Sequence, residues 1–142
     1  MVGYLVDNDV LSELRKGPRC NRGVAEWHGS LQPDDPPFLS VLVVGEIGRG
    51  IEALHRRDAP AAARLRHWLD EVRATFAARV LPINEAIADE WARITAHRTV
   101  PVIDGLLAAT ARVHRLTLVT RNVADVKDLG VELLNPFILR AR

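Results

Sequence analysis

The stretch of sequence that best defines the fold covers residues 101–126 and reads PVIDGLLAATARVHRLTLVTRNVADV. After Pro101, an alanine-rich segment predicts a helix with Asp104 in its first turn. Residues 116–120 form a run rich in β-branched residues, which predicts a strand. A polar loop follows that strand. The stretch therefore predicts a helix, a strand and a polar connection in succession.

The rest of the chain shows the same alternation of strands and helices. Residues 3–6 form a short apolar run that ends at Asp7, as expected of a strand buried on both faces. A helix follows, which Asp7 or Asn8 can cap. Further short strands are predicted at residues 38–40, 79–83 and 131–134.

Helices are predicted between these strands from the spacing of apolar residues. Val44, Ile47, Ile51 and Leu54 form one such stripe, behind a cap at Ser40. Because strands and helices alternate, we expect a three-layer α/β/α fold with a mostly parallel central sheet. No linker or repeat divides the chain, so we expect one domain over residues 1–142.

Composition limits the function. The 142 residues include 19 Lys and Arg against 18 Asp and Glu, a net charge of +1, which excludes a histone-like or polyacidic protein. A single cysteine excludes an internal disulfide and the ligand spacing of zinc fingers and iron–sulfur proteins. With neither a signal-peptide pattern nor ~18 consecutive apolar residues, we expect a cytoplasmic domain with no membrane span.

Four acids, Asp7, Glu46, Asp104 and Asp125, follow predicted strands or begin predicted helices. Ligands bind parallel sheets beyond the carboxyl ends of the strands, so these acids can meet at one edge. Crowded carboxylates repel, and oxygen ligands select hard ions such as Mg²⁺ or Mn²⁺. Such an ion can assist a phosphoryl displacement, which indicates a metal-dependent nuclease. The spacing alone does not establish the convergence, and locally Asp7 and Asp104 also suit helix starts.

Three blocks of this sequence resemble PIN-domain proteins of the VapC toxin type. They are YLVDNDVLSEL at residues 4–14, FLSVLVVGEIGRGIE at residues 38–52, and residues 101–126. The C-terminal LLNPF, residues 133–137, is also similar to the family's last strand. The blocks occur in family order and span nearly the whole chain.

The resemblance implies a PIN-like fold and a ribonuclease dependent on Mg²⁺ or Mn²⁺. It implies the toxin of a toxin–antitoxin pair, a homodimer inhibited by a small antitoxin protein in a hetero-oligomer. Asp7, Glu46 and Asp104 would hold the metal, with Asp125 completing the site directly or through water. Thr120 would fix the site by hydrogen bonding, and Asn122 would orient a water or a neighbouring acid.

Two departures from the family pattern leave choices open. The family usually has Thr-Asn after the first Asp, whereas this chain has Asn8-Asp9, and the extra carboxylate either alters metal affinity or faces solvent. In relatives the fourth acid can occupy the place of Asn122 instead of Asp125. Because the net charge is near zero, RNA attraction must come from local groups, for which Arg49 and Arg121 are candidates.

Two other functions compete with the nuclease. Asp7-Asn8-Asp9 after a strand also resembles the nucleophile loop of haloacid-dehalogenase-like phosphatases, but no later strand ends in the acidic pair that this chemistry requires. A PIN-like module that binds RNA or a partner without cutting is the second alternative. Loss of acids would favour it, and none of the expected acids is lost.

Overall fold

The computed structural model of the protein describes residues 3–138. Within this range, five strands span Gly3–Val6 (β1), Leu39–Ser40 (β2), Val80–Leu81 (β3), Leu116–Val119 (β4) and Leu133–Leu134 (β5). Seven α-helices of the same range span Asn8–Leu14 (α1), Arg22–Gly29 (α2), Val41–His55 (α3), Ala59–Phe76 (α4), Glu85–Thr95 (α5), Val102–His114 (α6) and Val123–Val126 (α7). Short 3₁₀ turns follow α1 and α4, at Gly17–Arg19 and Ala77–Arg79.

All strand pairings between these elements are parallel. β1 pairs with β4, and β4 pairs with β5, while β2 pairs with β3. An isolated parallel bridge between Leu5 and Phe38 joins the two groups, since the Val6 amide donates to the Phe38 carbonyl and the Phe38 amide to the Tyr4 carbonyl. The strand order is therefore β3-β2-β1-β4-β5. This order places β1 at the centre and confirms the predicted α/β class, with a sheet that is parallel throughout.

The core lies between this sheet and the helices. α3 packs against α4, α5 packs against α6, and α6 also contacts β4. Leu5, Leu39 and Leu118 from the strands are fully enclosed, together with Ile51 of α3 and Leu107 of α6. Because helices pair beside the sheet in this way, the carboxyl ends of β1 and β4 are held together at one edge.

The predicted strands are all present; β1 has its predicted bounds, and the other four are shorter and lie inside their predicted ranges. Helix α2 was missed, although Val24 and Trp27, both buried, have the spacing of one helix face. Asn21 caps it by accepting from the Gly23 and Val24 amides. Gly23 lies so close to Pro136 that a Cβ would sit 2.1 Å from its carbonyl oxygen, so the last part of the chain fixes this helix in place.

Two predictions concern the whole chain. Among residues 3–138, none of the helices is both long enough and apolar enough to cross a bilayer. That residues 1–142 form one domain stays a prediction, because positions 1–2 and 139–142 lie outside the described range.

Candidate active site at the carboxyl edge of the sheet

Asp7 connects the end of β1 to the start of α1. Its Oδ1 accepts a hydrogen bond from the Asn8 amide at 2.7 Å, so it is the cap that the sequence predicted. Its Oδ2 accepts a second bond, at 2.7 Å, from the hydroxyl of Thr120 just beyond β4. Asp7 is 8% exposed and Thr120 only 1%. Capping therefore accounts for only one of the two carboxylate oxygens.

The turn at residues 120–122 links two of the predicted acids. The Thr120 amide continues the ladder to β5 by donating to the Leu134 carbonyl. The Asn122 amide donates to the Thr120 hydroxyl at 3.0 Å, and the Asn122 side-chain Nδ2 donates to Oδ2 of Asp104 at 3.1 Å. Asp104 lies in the first turn of α6. A continuous hydrogen-bonded path thus joins Asp7 to Asp104, which are far apart in the sequence.

Asp9 contacts the same turn from the other side. Its Oδ2 accepts a hydrogen bond from the Arg121 amide at 3.1 Å. Its Oδ1 is enclosed and has no hydrogen-bond partner among residues 3–138. The side chain of Asp9 therefore does not simply face solvent.

The acids at this edge influence one another's ionisation. Burial, followed by repulsion from Asp7, raises the pKa of Asp9 to about 6. Burial also raises the pKa of Glu46 on α3, with further contributions from Asp7, Asp104 and Asp9. The pKa of Asp104 is raised by burial and then by Asp7 and Asp125. Each of these acids therefore lies within electrostatic reach of at least one other at this edge, and Asp125 reaches only Asp104.

Among the described residues, the carboxylates at this edge do not converge closely on one point. Over the described range, no three His, Cys, Asp or Glu side chains are gathered closely enough to form a ready-made metal site. The donors available are carboxylate oxygens, the ligands that hard divalent cations prefer. In its chemistry the donor set therefore fits a divalent cation.

Asp125 lies on the short helix α7 and is half-buried. Arg98 fixes this helix, because its Nη2 donates to the carbonyls of Asp125 at 3.1 Å and Lys127 at 2.7 Å. The carboxylate of Asp125 raises the pKa of Asp104, whereas the Asn122 side chain is bonded to Asp104 directly. Asp125 and Asn122, the two candidates for the fourth position of the site, therefore both lie beside Asp104.

The two candidate RNA-binding arginines are exposed and near the acids. Arg121 places its guanidinium over the Phe137 ring, 4.5 Å from the ring centre. Arg49 lies on α3 and lines a groove of about 630 Å³ that Glu46 and Asn8 also line. Arg49 therefore shares this groove with one of the predicted acids, Glu46.

Sequence reasoning missed three residues that support this site. Ser12 donates to Oδ1 of Asn8 at 2.9 Å, which the spacing of four on a helix could have indicated. Phe137 underlies Arg121, and Arg98 holds α7 across 27 positions. The last two contacts left no local signal, because their partners meet only in the folded chain.

These features define a class of α/β proteins with an acidic site at the carboxyl edge of a parallel sheet. The family model of the PIN domain matches residues 4–128. The chain belongs to the PIN-domain family.

Curated relatives and solved structures agree with this assignment. Toxin FitB of Neisseria gonorrhoeae is 31% identical over 139 residues, covering 94% of this chain and 97% of FitB. VapC ribonuclease Y4jK of Sinorhizobium fredii is 30% identical over 142 residues, covering 94% of this chain and 96% of the relative. The crystal structure of FitAcB from Neisseria gonorrhoeae matches with a TM-score of 0.83 and 32% identity, covering 96% of this chain and 99% of that one.

Proposed function

We propose that this protein is a divalent-metal-dependent endoribonuclease that acts as the toxin of a toxin–antitoxin pair. The observation that carries the proposal is the hydrogen-bonded path from Asp7 through Thr120 and Asn122 to Asp104. It holds two carboxylates at the edge of a parallel sheet where ligands bind. The names of the relatives, a toxin and a VapC ribonuclease, support the same function.

Asp7, Glu46 and Asp104 are the proposed metal ligands, and Asp125 completes the set directly or through water. Oxygen donors favour Mg²⁺ or Mn²⁺ over softer ions. When bound, such an ion acts as a Lewis acid on the phosphodiester and lowers the pKa of a coordinated water. Raised carboxylate pKa values are expected where a site concentrates negative charge for a cation.

The chain's other polar groups orient these acids and the RNA. Thr120 and the Asn8 amide each bind one oxygen of Asp7, which limits how its carboxylate can rotate. Asn122 does the same for Asp104. Arg49 and Arg121 are proposed to bind RNA phosphates, because a guanidinium matches two phosphate oxygens. Arg49 lines the groove along α3 beside Glu46, where an extended strand is proposed to bind.

We expect a small antitoxin as partner, in a hetero-oligomer with a toxin homodimer. A concentration of carboxylates attracts a basic side chain, which would block the site by occupying the place of the cation. The named relative FitB is a toxin, which supports this pairing. The homodimer and the cytoplasmic location stay predictions.

The test is cleavage of single-stranded RNA by the purified protein with Mg²⁺ or Mn²⁺, compared with EDTA. Asp7→Asn and Asp104→Asn should each abolish cleavage while the circular dichroism spectrum stays that of the wild type. The control is Asp34→Asn, because Asp34 is exposed in the loop ahead of β2, at the other end of the sheet. Cleavage that survives in both site variants would reject the proposed site.

Two related assays separate the nuclease from the binding module and the phosphatase. RNA binding without cleavage by the wild type would favour a binding module. Phosphate release from a simple phosphoester, without RNA cleavage, would favour a phosphatase.

A further inference from the structure

The side chain of Asp9 reaches from α1 to the backbone after β4. Its Oδ2 accepts from the Arg121 amide at 3.1 Å, a contact between residues 112 positions apart. The contact uses the backbone of Arg121, so it is independent of what the arginine side chain binds. Two other hydrogen bonds connect the same parts of the chain. The Asp7 amide donates to the Val119 carbonyl at the end of β4, and the Thr120 hydroxyl donates to Asp7.

The segment that Asp9 holds carries both residues that orient the acids. Thr120 and Asn122 flank Arg121 and donate to Asp7 and Asp104 respectively. A shift of the Arg121 peptide would move both donors together. Groups that orient metal-binding side chains contribute to affinity and activity even though they do not touch the ion.

We propose that Asp9 is a positioning residue, which fixes the turn at residues 120–122 by accepting the Arg121 amide and so keeps Asp7 and Asp104 in place. The inference rests on the proposed function and adds a role that acts through the turn. In this role Asp9 serves as a hydrogen-bond acceptor, and its charge is not required.

The positioning role depends on one oxygen of Asp9, so substitutions can separate it from direct metal binding. The oxygen that forms the contact is Oδ2, and the other, Oδ1, is enclosed without a partner in the described part of the chain. An asparagine has nearly the same shape and retains one carbonyl oxygen, which can accept the same amide. An alanine retains no acceptor. The pair of substitutions therefore separates the loss of the acceptor from the loss of the charge.

The experiment compares Asp9→Asn and Asp9→Ala with the wild type, and uses Asp34→Ala as the control for removing an acid. Three quantities are measured: hydrogen exchange of the Arg121 amide by NMR in metal-free protein, Mn²⁺ affinity by calorimetry, and kcat and KM for RNA. Asp9→Ala should accelerate exchange at Arg121, and it should lower Mn²⁺ affinity and kcat by ~10–100-fold with little change in KM. Asp9→Asn should keep the Arg121 amide protected and should retain most of the Mn²⁺ affinity and most of kcat.

Two results would overturn the inference. If Asp9→Asn loses as much Mn²⁺ affinity as Asp9→Ala while its Arg121 amide stays protected, the charge of Asp9 matters and not its acceptor. If Asp9→Ala leaves the Arg121 amide as protected as in the wild type, the contact does not hold the turn. A wild-type protein that cuts no RNA would reject the proposed function, whereas the exchange and Mn²⁺ measurements would still decide the role of Asp9.

Discussion

The Thr120 hydroxyl donates to Oδ2 of Asp7 at 2.7 Å, in a buried contact between residues 113 positions apart. The same hydroxyl accepts the Asn122 amide at 3.0 Å. Since a backbone amide can only donate, the hydroxyl proton is committed to Asp7. The direction of this short chain of hydrogen bonds is therefore fixed.

Replacing Thr120 tests that contact. Thr120→Val keeps the shape but leaves one oxygen of a buried carboxylate without its donor, so we expect unfolding free energy to fall by about 1–3 kcal/mol. RNA cleavage should fall as well, because Asp7 loses an orienting partner. Chemical denaturation and cleavage rates measure the two effects. Thr120→Ser, which retains the hydroxyl, should stay close to the wild type in both; equal losses in the two variants would contradict the role of the hydroxyl.

The raised pKa values predict how stability depends on pH in the metal-free protein. The pKa of Asp9 rises from its usual 3.8 to about 6, and those of Glu46 and Asp104 are also raised. Because these pKa values are raised, the folded state binds more protons than the unfolded state in this pH range. The free energy of unfolding therefore increases as pH falls from 7 towards 5. From Asp9 alone the gain is on the order of 1–2 kcal/mol, given 1.36 kcal/mol per pKa unit. Denaturation midpoints at several pH values in EDTA measure it.

Two further measurements check the cause of this pH dependence. Asp9→Asn should flatten the profile and raise the stability at pH 7, because the buried charge is gone. Saturating Mg²⁺ or Mn²⁺ should stabilise the protein more at pH 7 than at pH 5, since a cation binds ionised carboxylates. A metal-free protein that loses stability from pH 7 to pH 5 would refute the prediction.

Gly105 allows α6 to approach α5 directly beside Asp104. A Cβ at this position would lie 3.1 Å from both Trp91 Nε1 and Thr95 Cγ2. The Thr95 hydroxyl is bonded to the Trp91 carbonyl, so this methyl group is not free to turn away. We expect Gly105→Ala to lower the unfolding free energy by about 1–3 kcal/mol, as overpacking does, and to reduce cleavage by displacing Asp104. Urea denaturation measures the first effect.

Gly48 provides the matched control for that substitution. It also lies within a helix, α3, but a Cβ there meets nothing within 4 Å. Gly48→Ala should therefore stabilise the protein by about 0.5–1 kcal/mol through backbone entropy alone. Equal stabilisation by both alanines would show that the close approach at Gly105 is not tight.

Arg121→Ala tests the proposed contact with RNA. The Arg121 amide that Asp9 accepts is unchanged, so the turn should stay in place and kcat should be retained. Loss of one phosphate contact should raise KM and reduce the steepness of its dependence on log salt by about one. Arg57→Ala, at an exposed position beyond the other end of α3, is the control. A fall in kcat at constant KM would indicate a different role for Arg121.

Local chemistry predicted much of the fold. The caps at Asp7 and Ser40 accept from amides at the starts of the helices that follow, as their sequence positions suggested. α2 was not predicted, although its cap at Asn21 and the spacing of Val24 and Trp27 are local signals. The close approach of Gly23 to Pro136 is a contact that no local pattern contains.

The site was predicted less completely than the fold. Topology and family resemblance indicated that Asp7 and Asp104 belong together, and the structure joins them by hydrogen bonds. The contact of Asp9 with the Arg121 amide was not predictable, because it depends on the register between α1 and a turn more than a hundred residues later. The roles of the acids in metal binding and of the two arginines in RNA binding stay predictions.

The central position of β1 affects when the proposed nuclease centre can form during translation. β1 precedes its partner β4, and Asp7 precedes the turn that holds it, by more than a hundred residues. A nascent polypeptide released before residue 116 has neither the partner strand nor the Thr120 hydroxyl. A prematurely terminated product would therefore lack the contacts that hold Asp7 in the proposed site.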